Sequence, residues 1–88
     1  MKKKEWERMR MIDAGNGSFI NSERIISIAP PDSMPVRRLI QDARDAGMVI
    51  DVTCGRKTAS VIVTDSDHVI LSADAPQQLT ERMCADDR

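Results

Sequence analysis

Two unbroken apolar triplets, Val61-Ile62-Val63 and Val69-Ile70-Leu71, flank the short polar run Asp65-Ser66-Asp67 in a chain of only 88 residues. Successive residues of a strand point to opposite faces, so a strand of continuous aliphatics has two faces to bury. The run between them carries turn residues, and the whole predicts a β-hairpin with strands at Ala59–Thr64 and His68–Ala73. The apolar pairs Ile25-Ile26 and Val49-Ile50 make the same demand on two further strands. Aliphatic surface left in water costs about 25 cal/mol per Å². A chain this short buries only about 60–65% of the surface it exposes when unfolded, so covering two sheet faces is its central difficulty.

The remaining elements follow from local pattern. Met11–Ala14 reads as a short strand, and Gly15-Asn16-Gly17-Ser18 as a turn with positions free to take positive φ. Phe19–Asn21 and Ile25–Ala29 are extended, and Pro30-Pro31-Asp32-Ser33 halts the second of them. Pro35 suits the first turn of a helix. Val36, Leu39, Ile40 and Ala43 then form one apolar stripe at helical spacing, and Gly47 stands where a left-handed cap is expected. Met48–Val52 is a strand, and Pro76 opens a short helix carrying Leu79 and Met83. The expected fold class is α+β: a small, mostly antiparallel sheet with one central amphipathic helix, about 34–46, and a short C-terminal helix. The central helix covers one sheet face. The C-terminal helix covers only part of the other, so a neighbouring subunit is expected to complete it, making a homo-oligomer. Residues 1–10 are expected to form a charged, flexible, solvated extension, with a weak docking stripe at Trp6 and Met9 as the alternative; 11–84 are expected to form a single domain and 85–88 a frayed acidic tail.

Composition removes several classes of function. Cys54 and Cys84 are too few for a disulfide scaffold and lack zinc spacing. No apolar run approaches the roughly 18–20 residues that a membrane helix needs, and the charged start does not suit a signal peptide. A cytoplasmic protein without membrane partner, cofactor or metal is expected. The only aromatic residues are Trp6 and Phe19, so stacking of single-stranded bases on rings is not available. The net charge is −1. Residues 24–57 carry a small positive excess and 58–88 a clear negative one, so any nucleic-acid face must be a local patch.

Each candidate for chemistry has a plainer reading beside it. Asp65, Asp67 and His68 cluster, but aspartates in a hairpin turn bond local backbone and tolerate unusual φ, and a lone histidine makes a poor metal site. Cys54 stands near Arg56 and Lys57, which favour a reactive thiolate, yet no histidine or acid lies near it, and a small buried cysteine is the plainer reading. Gly15-Asn16-Gly17-Ser18 lacks the Gly-Lys-Ser/Thr ending of a phosphate loop and leads into a strand. No constellation for catalysis is complete, and no small-molecule substrate is expected. The basic residues stand apart. Arg37 and Arg38 lie on the first turn of the central helix, where they oppose its dipole, although Arg38 is spaced to pair with Asp42. Arg56-Lys57 forms a loop tip without an acidic residue within three positions on either side, and Arg24 stands at the start of a strand.

At Asn21-Ser22-Glu23-Arg24-Ile25-Ile26-Ser27-Ile28 the chain resembles the RemA-like extracellular matrix regulatory proteins. The likeness continues through Arg38-Leu39-Ile40-Gln41-Asp42-Ala43-Arg44 and Ile50-Asp51-Val52-Thr53-Cys54-Gly55-Arg56-Lys57-Thr58. Its most specific stretch is Val61-Ile62-Val63-Thr64-Asp65-Ser66-Asp67-His68-Val69-Ile70-Leu71-Ser72-Ala73, and it spans about Met11 to Met83. The resemblance implies a regulator that binds double-stranded DNA and activates genes for extracellular matrix production, built from small subunits assembled into rings. It implies DNA contacts at Arg24, Arg56 and Lys57, to which charge alone adds Arg37 and Arg38 as further possible contacts.

The chain departs from the family pattern in particular places. Ala59 stands where a further basic residue is common, and Cys54 where a tyrosine is common. The extension, with Lys2-Lys3-Lys4, and the ending Asp86-Asp87 are additional. One fewer cation per subunit weakens every repeat of the contact. The competing expectation is therefore an oligomeric scaffold or protein-interaction module with little affinity for DNA.

Overall fold

The computed structural model describes residues 10–85. The chain order is β1 (Met11–Asp13), β2 (Phe19–Asn21), a 3-10 turn (Ser22–Arg24), β3 (Ile25–Ala29), α1 (Met34–Asp45), β4 (Val49–Asp51), β5 (Ser60–Thr64), β6 (Val69–Ser72) and α2 (Pro76–Ala85). The expected extension through Met9, with its Trp6 and Met9 stripe, and the tail from Asp86 lie outside the described residues. Arg10, assigned to that extension by sequence, has its carbonyl held by both the backbone N–H and the hydroxyl of Ser22.

The strands form two sheets. β1 and β2 make a small antiparallel hairpin, and the larger sheet runs β3-β5-β6-β4. β5 pairs antiparallel with both β3 and β6, whereas β4 runs parallel to β6. That one parallel pair follows from connectivity: α1 carries the chain back along the sheet between β3 and β4. The class is thus α+β with a mixed, mostly antiparallel arrangement.

The alternation of β5 and β6 divides the core. Val61, Val69 and Leu71 face α1, where Val36, Ile40 and Ala43 pack on them. Ile62 and Ile70 face the other way, against Leu79 of α2 and Ala14 and Ile20 of the hairpin. The expectation that this second face stays partly open is corrected here: Ile62 is 0% exposed and Ile70 4% within one chain. The hairpin closes what the short helix alone does not. Sequence periodicity marked β1 and β2 only as strands and gave no sign of where they dock.

β3 settles another ambiguity. Ile25 lies opposite Thr64 and Ser27 opposite Val63, so Ile26 is an extra residue in a β-bulge. The bulge puts Ile25 and Ile28 on the same face, both against the Ile62 cluster, and turns Ile26 outward at 67% exposure. Ile50, on the opposite edge strand, is also exposed.

α1 begins at Ser33, whose hydroxyl accepts the Val36 N–H, with Pro35 in the first turn. It ends at Gly47, φ +72, where the Met48 N–H reaches the Ala43 carbonyl and the Gly47 N–H the Arg44 carbonyl. This is a Schellman cap, and a side chain at Gly47 would be strained in the left-handed region. Leu39, placed in the apolar stripe by spacing, sits at its margin and is partly exposed.

Candidate nucleic-acid interface

The loop between β4 and β5 turns on Thr53-Cys54-Gly55-Arg56, with the Arg56 N–H donating to the Thr53 carbonyl. Cys54 and Gly55 both have positive φ, +55 and +83, which defines a type I′ turn. Cys54 is exposed rather than buried, so its expected place as a small core residue is corrected; its backbone shapes the turn. The loop is anchored at its start. Asp51 Oδ1 accepts both the Thr53 N–H, at 2.9 Å, and the Thr53 hydroxyl, at 2.6 Å. Those bonds, with Arg44 nearby, hold the Asp51 carboxyl below its ordinary pKa of 3.8.

Asn16, at the tip of the β1–β2 turn, ties the two loops together. Its Nδ2 donates to the carbonyls of Val52 and Thr53, and its Oδ1 accepts from the Arg56 guanidinium at 3.4 Å. In the sequence Asn16 reads as a turn residue only; its one further signal is an amide between two glycines, which does not name a distant partner. Arg56 and Lys57 are both exposed, and among the described residues neither makes an ion pair. Lys57 borders a shallow cleft with Pro30, Pro31, Asp32, Thr58, Ala59 and Ala73. α1 starts at this same end of the sheet, because β3 leads into it from beside Val61. Arg37 and Arg38 are exposed on its first turns. No ion pair joins Arg38 to Asp42 among the described residues; the i,i+4 contact that does form is Gln41 to Asp45.

Arg24 is elsewhere. It precedes Ile25, which pairs with Thr64, so it lies at the far end of β5 from Lys57. The run from Ser60 to Thr64 alone spans about 13 Å at strand rise. One chain therefore does not bring Arg24 together with Arg56 and Lys57, and no single phosphate is within reach of both ends. Arg24 Nε donates to Asp65 Oδ1 at 2.7 Å. The local backbone bond expected of a turn aspartate is not what the Asp65 carboxylate makes; its partner comes from the 3-10 turn that leads into β3. Asp67 fills the expected role, with φ +67, and His68 Nδ1 bonds the Ser66 hydroxyl.

Asp74 and Arg82 pair at 2.7 Å, and Arg82 also donates to the Asp13 carbonyl, which fastens α2 to the hairpin. The Ser72 and Ser60 hydroxyls donate to the carbonyls of Ala14 and Asp74, so the buried polar groups of this layer are paired. No group of three or more His, Cys, Asp or Glu is placed to hold a metal among the described residues, and no helix there is long and apolar enough to cross a membrane. The arrangement offers separated cationic points on an exposed surface.

Comparison with known proteins identifies the family. Residues 11–83 match the family model described as RemA-like, "Extracellular matrix regulatory protein A-like". A protein of Brevibacillus brevis is 49% identical over 79 residues, covering 90% of this chain and 92% of its own length. One from Bacillus pumilus is 51% identical over 75 residues, covering 85% and 84%. One from Clostridium novyi is 47% identical over 79 residues, covering 90% and 88%. All three bear the name "Putative regulatory protein", and none is named as an enzyme. The chain belongs to the RemA-like family of extracellular matrix regulatory proteins.

Proposed function

We propose that this chain is a DNA-binding transcriptional regulator of the cytoplasm, acting as a homo-oligomeric ring that presents basic residues repeatedly to the DNA backbone and activates extracellular matrix (biofilm) genes. The observation that carries the reading is the exposed Arg56-Lys57 tip, which has no acidic partner among the described residues of a chain belonging to a regulatory family. Arg56 and Lys57 are the principal contacts, Arg24 a separate one, and Arg37 and Arg38 subsidiary ones at the Lys57 end. No cofactor or small-molecule substrate enters the reading.

Assembly is supported by the edges of the sheet. β3 and β4 are its two outer strands, and each carries an exposed isoleucine, Ile26 at 67% and Ile50 at 45%. Open apolar edges are normally covered. Joining one edge of a subunit to the different edge of the next is a head-to-tail contact, which closes into a ring when the rotation permits. Repetition also answers the charge problem. Three phosphate contacts give a salt slope of only about −2.7, a weak hold at cellular ionic strength. Further copies on a rigid particle make later contacts intramolecular and multiply the affinity. DNA that curves easily follows a ring best, so sequence is read partly through deformability.

The Arg24–Asp65 pair and Ala59 favour a second reading, an oligomeric scaffold with little DNA affinity. A mobility-shift titration at two salt concentrations separates the two. Salt-sensitive retention that is lost in the Arg56→Ala, Lys57→Ala variant, with particle size unchanged, supports the regulator. No salt-sensitive shift of the parent chain at micromolar protein supports the scaffold.

A further inference from the structure

Among the described residues, Arg24 is the one assigned contact that is held by a carboxylate. Its Nε donates to Asp65 Oδ1 at 2.7 Å, and the Asp65 N–H donates to the Arg24 carbonyl at 2.9 Å. The two meet because β3 starts where β5 ends, with Ile25 opposite Thr64. Their side chains remain 60% and 49% exposed, so the pair stands within reach of a duplex. Glu23 precedes Arg24 and Asp67 follows two residues after Asp65, and both are exposed. Among the described residues, the carboxylates Glu23, Asp65 and Asp67 thus outnumber Arg24 and the neighbouring Arg10 at this end of the sheet, in contrast to the Arg56-Lys57 tip.

We infer that Asp65 is an internal competitor for Arg24, holding its guanidinium in the free protein and yielding it only when a DNA phosphate takes its place. The inference rests on the DNA-binding reading above. Asp65 occupies Nε, one of the donors that a bidentate phosphate contact uses, so the phosphate must displace it to take that edge of the guanidinium. An exposed ion pair is weak, and a phosphate already brought close displaces it readily. A phosphate in free solution meets an acidic surface there instead. Arg24 thus engages second, after Arg56 and Lys57 of the same and neighbouring subunits have fixed the duplex. A contact conditional on placement favours DNA that follows the particle over DNA that touches one loop.

The test compares Asp65→Asn, Arg24→Ala and the double variant by fluorescence anisotropy on a labelled promoter-length duplex, with native mass recorded for each. Asparagine keeps an oxygen beside Nε and removes the charge. Asp65→Asn is expected to raise affinity by about two- to five-fold per engaged subunit, and to have no effect in the Arg24→Ala background. Asp65→Ser, which also removes the charge at this exposed turn, repeats the gain if the amide disturbs the turn. Weaker binding of both Asp65 variants, with mass unchanged, makes Asp65 a residue that orients Arg24 and overturns the competitor. Equal affinity overturns it as well, as does an equal gain without Arg24, which reduces Asp65 to general repulsion; in these cases the DNA reading stands. A parent chain and variants that retain no duplex at any salt concentration overturn that reading and the competitor with it.

Discussion

Replacing Leu79 with alanine tests whether α2 closes the second face of the sheet. Leu79 is 0% exposed and packs on Ala14, Ile62 and Ile70. The change removes three carbons from contact, worth about 2.4 kcal/mol in transfer at about 0.8 per methylene. The cavity left behind adds to this, because the hairpin on one side and the paired strands on the other limit collapse, and a loss of about 3–4 kcal/mol is expected. A domain of this size holds roughly 4–13 kcal/mol in all, so the variant folds with a much reduced margin. In urea, with a slope of about 1–1.5 kcal/mol/M, the midpoint falls by about 2–4 M. Far-UV circular dichroism follows the transition, at one protein concentration for parent and variant because association contributes to stability. The partly exposed Leu39, changed to alanine in parallel, gives a far smaller shift. A midpoint that moves by less than about 0.5 M for Leu79→Ala would refute the packing argument.

Two further outcomes follow from the loop between β4 and β5. Asp51 is held below its ordinary pKa by the two Thr53 bonds, so its ionised form stabilises the fold above 3.8, and this contribution is lost as pH falls through the lower native value. Asp51→Asn should therefore melt below the parent at neutral pH, and the difference should shrink in thermal scans taken below 3.8; a gap that widens in acid contradicts the assignment. Ala59 borders the same cleft as Lys57. Ala59→Lys should steepen the salt dependence of DNA affinity by about 0.9 per engaged subunit, measured as the slope of log affinity on log salt; an unchanged slope places residue 59 away from the duplex.

What the sequence disclosed, and what it withheld, divides along a physical line. Local rules carried α1, because Ser33, Pro35 and Gly47 are chemically suited to its two ends, and carried the β5–β6 hairpin, because turn residues separate two aliphatic runs. Packing between distant elements was not legible. Nothing in Met11–Asp13 or Phe19–Asn21 says that the hairpin lies over Ile62 and Ile70, so the need for outside cover was overstated. The bulge at Ile26 was hidden for the same reason, since an apolar pair reads identically with or without an extra residue in the ladder. The candidate interface shows the same division. Arg56 and Lys57 stood out because no acid lies near them in sequence. Arg24, with Glu23 beside it, is assigned through the family resemblance, and its partner Asp65 lies 41 positions away, so that only the pairing of β3 with β5 brings them together.

Native mass measurement of the purified protein, alone and mixed with a promoter-length duplex, bears most directly on the proposed regulator. The account predicts a closed particle of several subunits that carries over intact onto the DNA. A single subunit of 9.8 kDa in both samples would contradict it, because one pair of loop cations on one chain has too few contacts to hold a duplex at cellular salt.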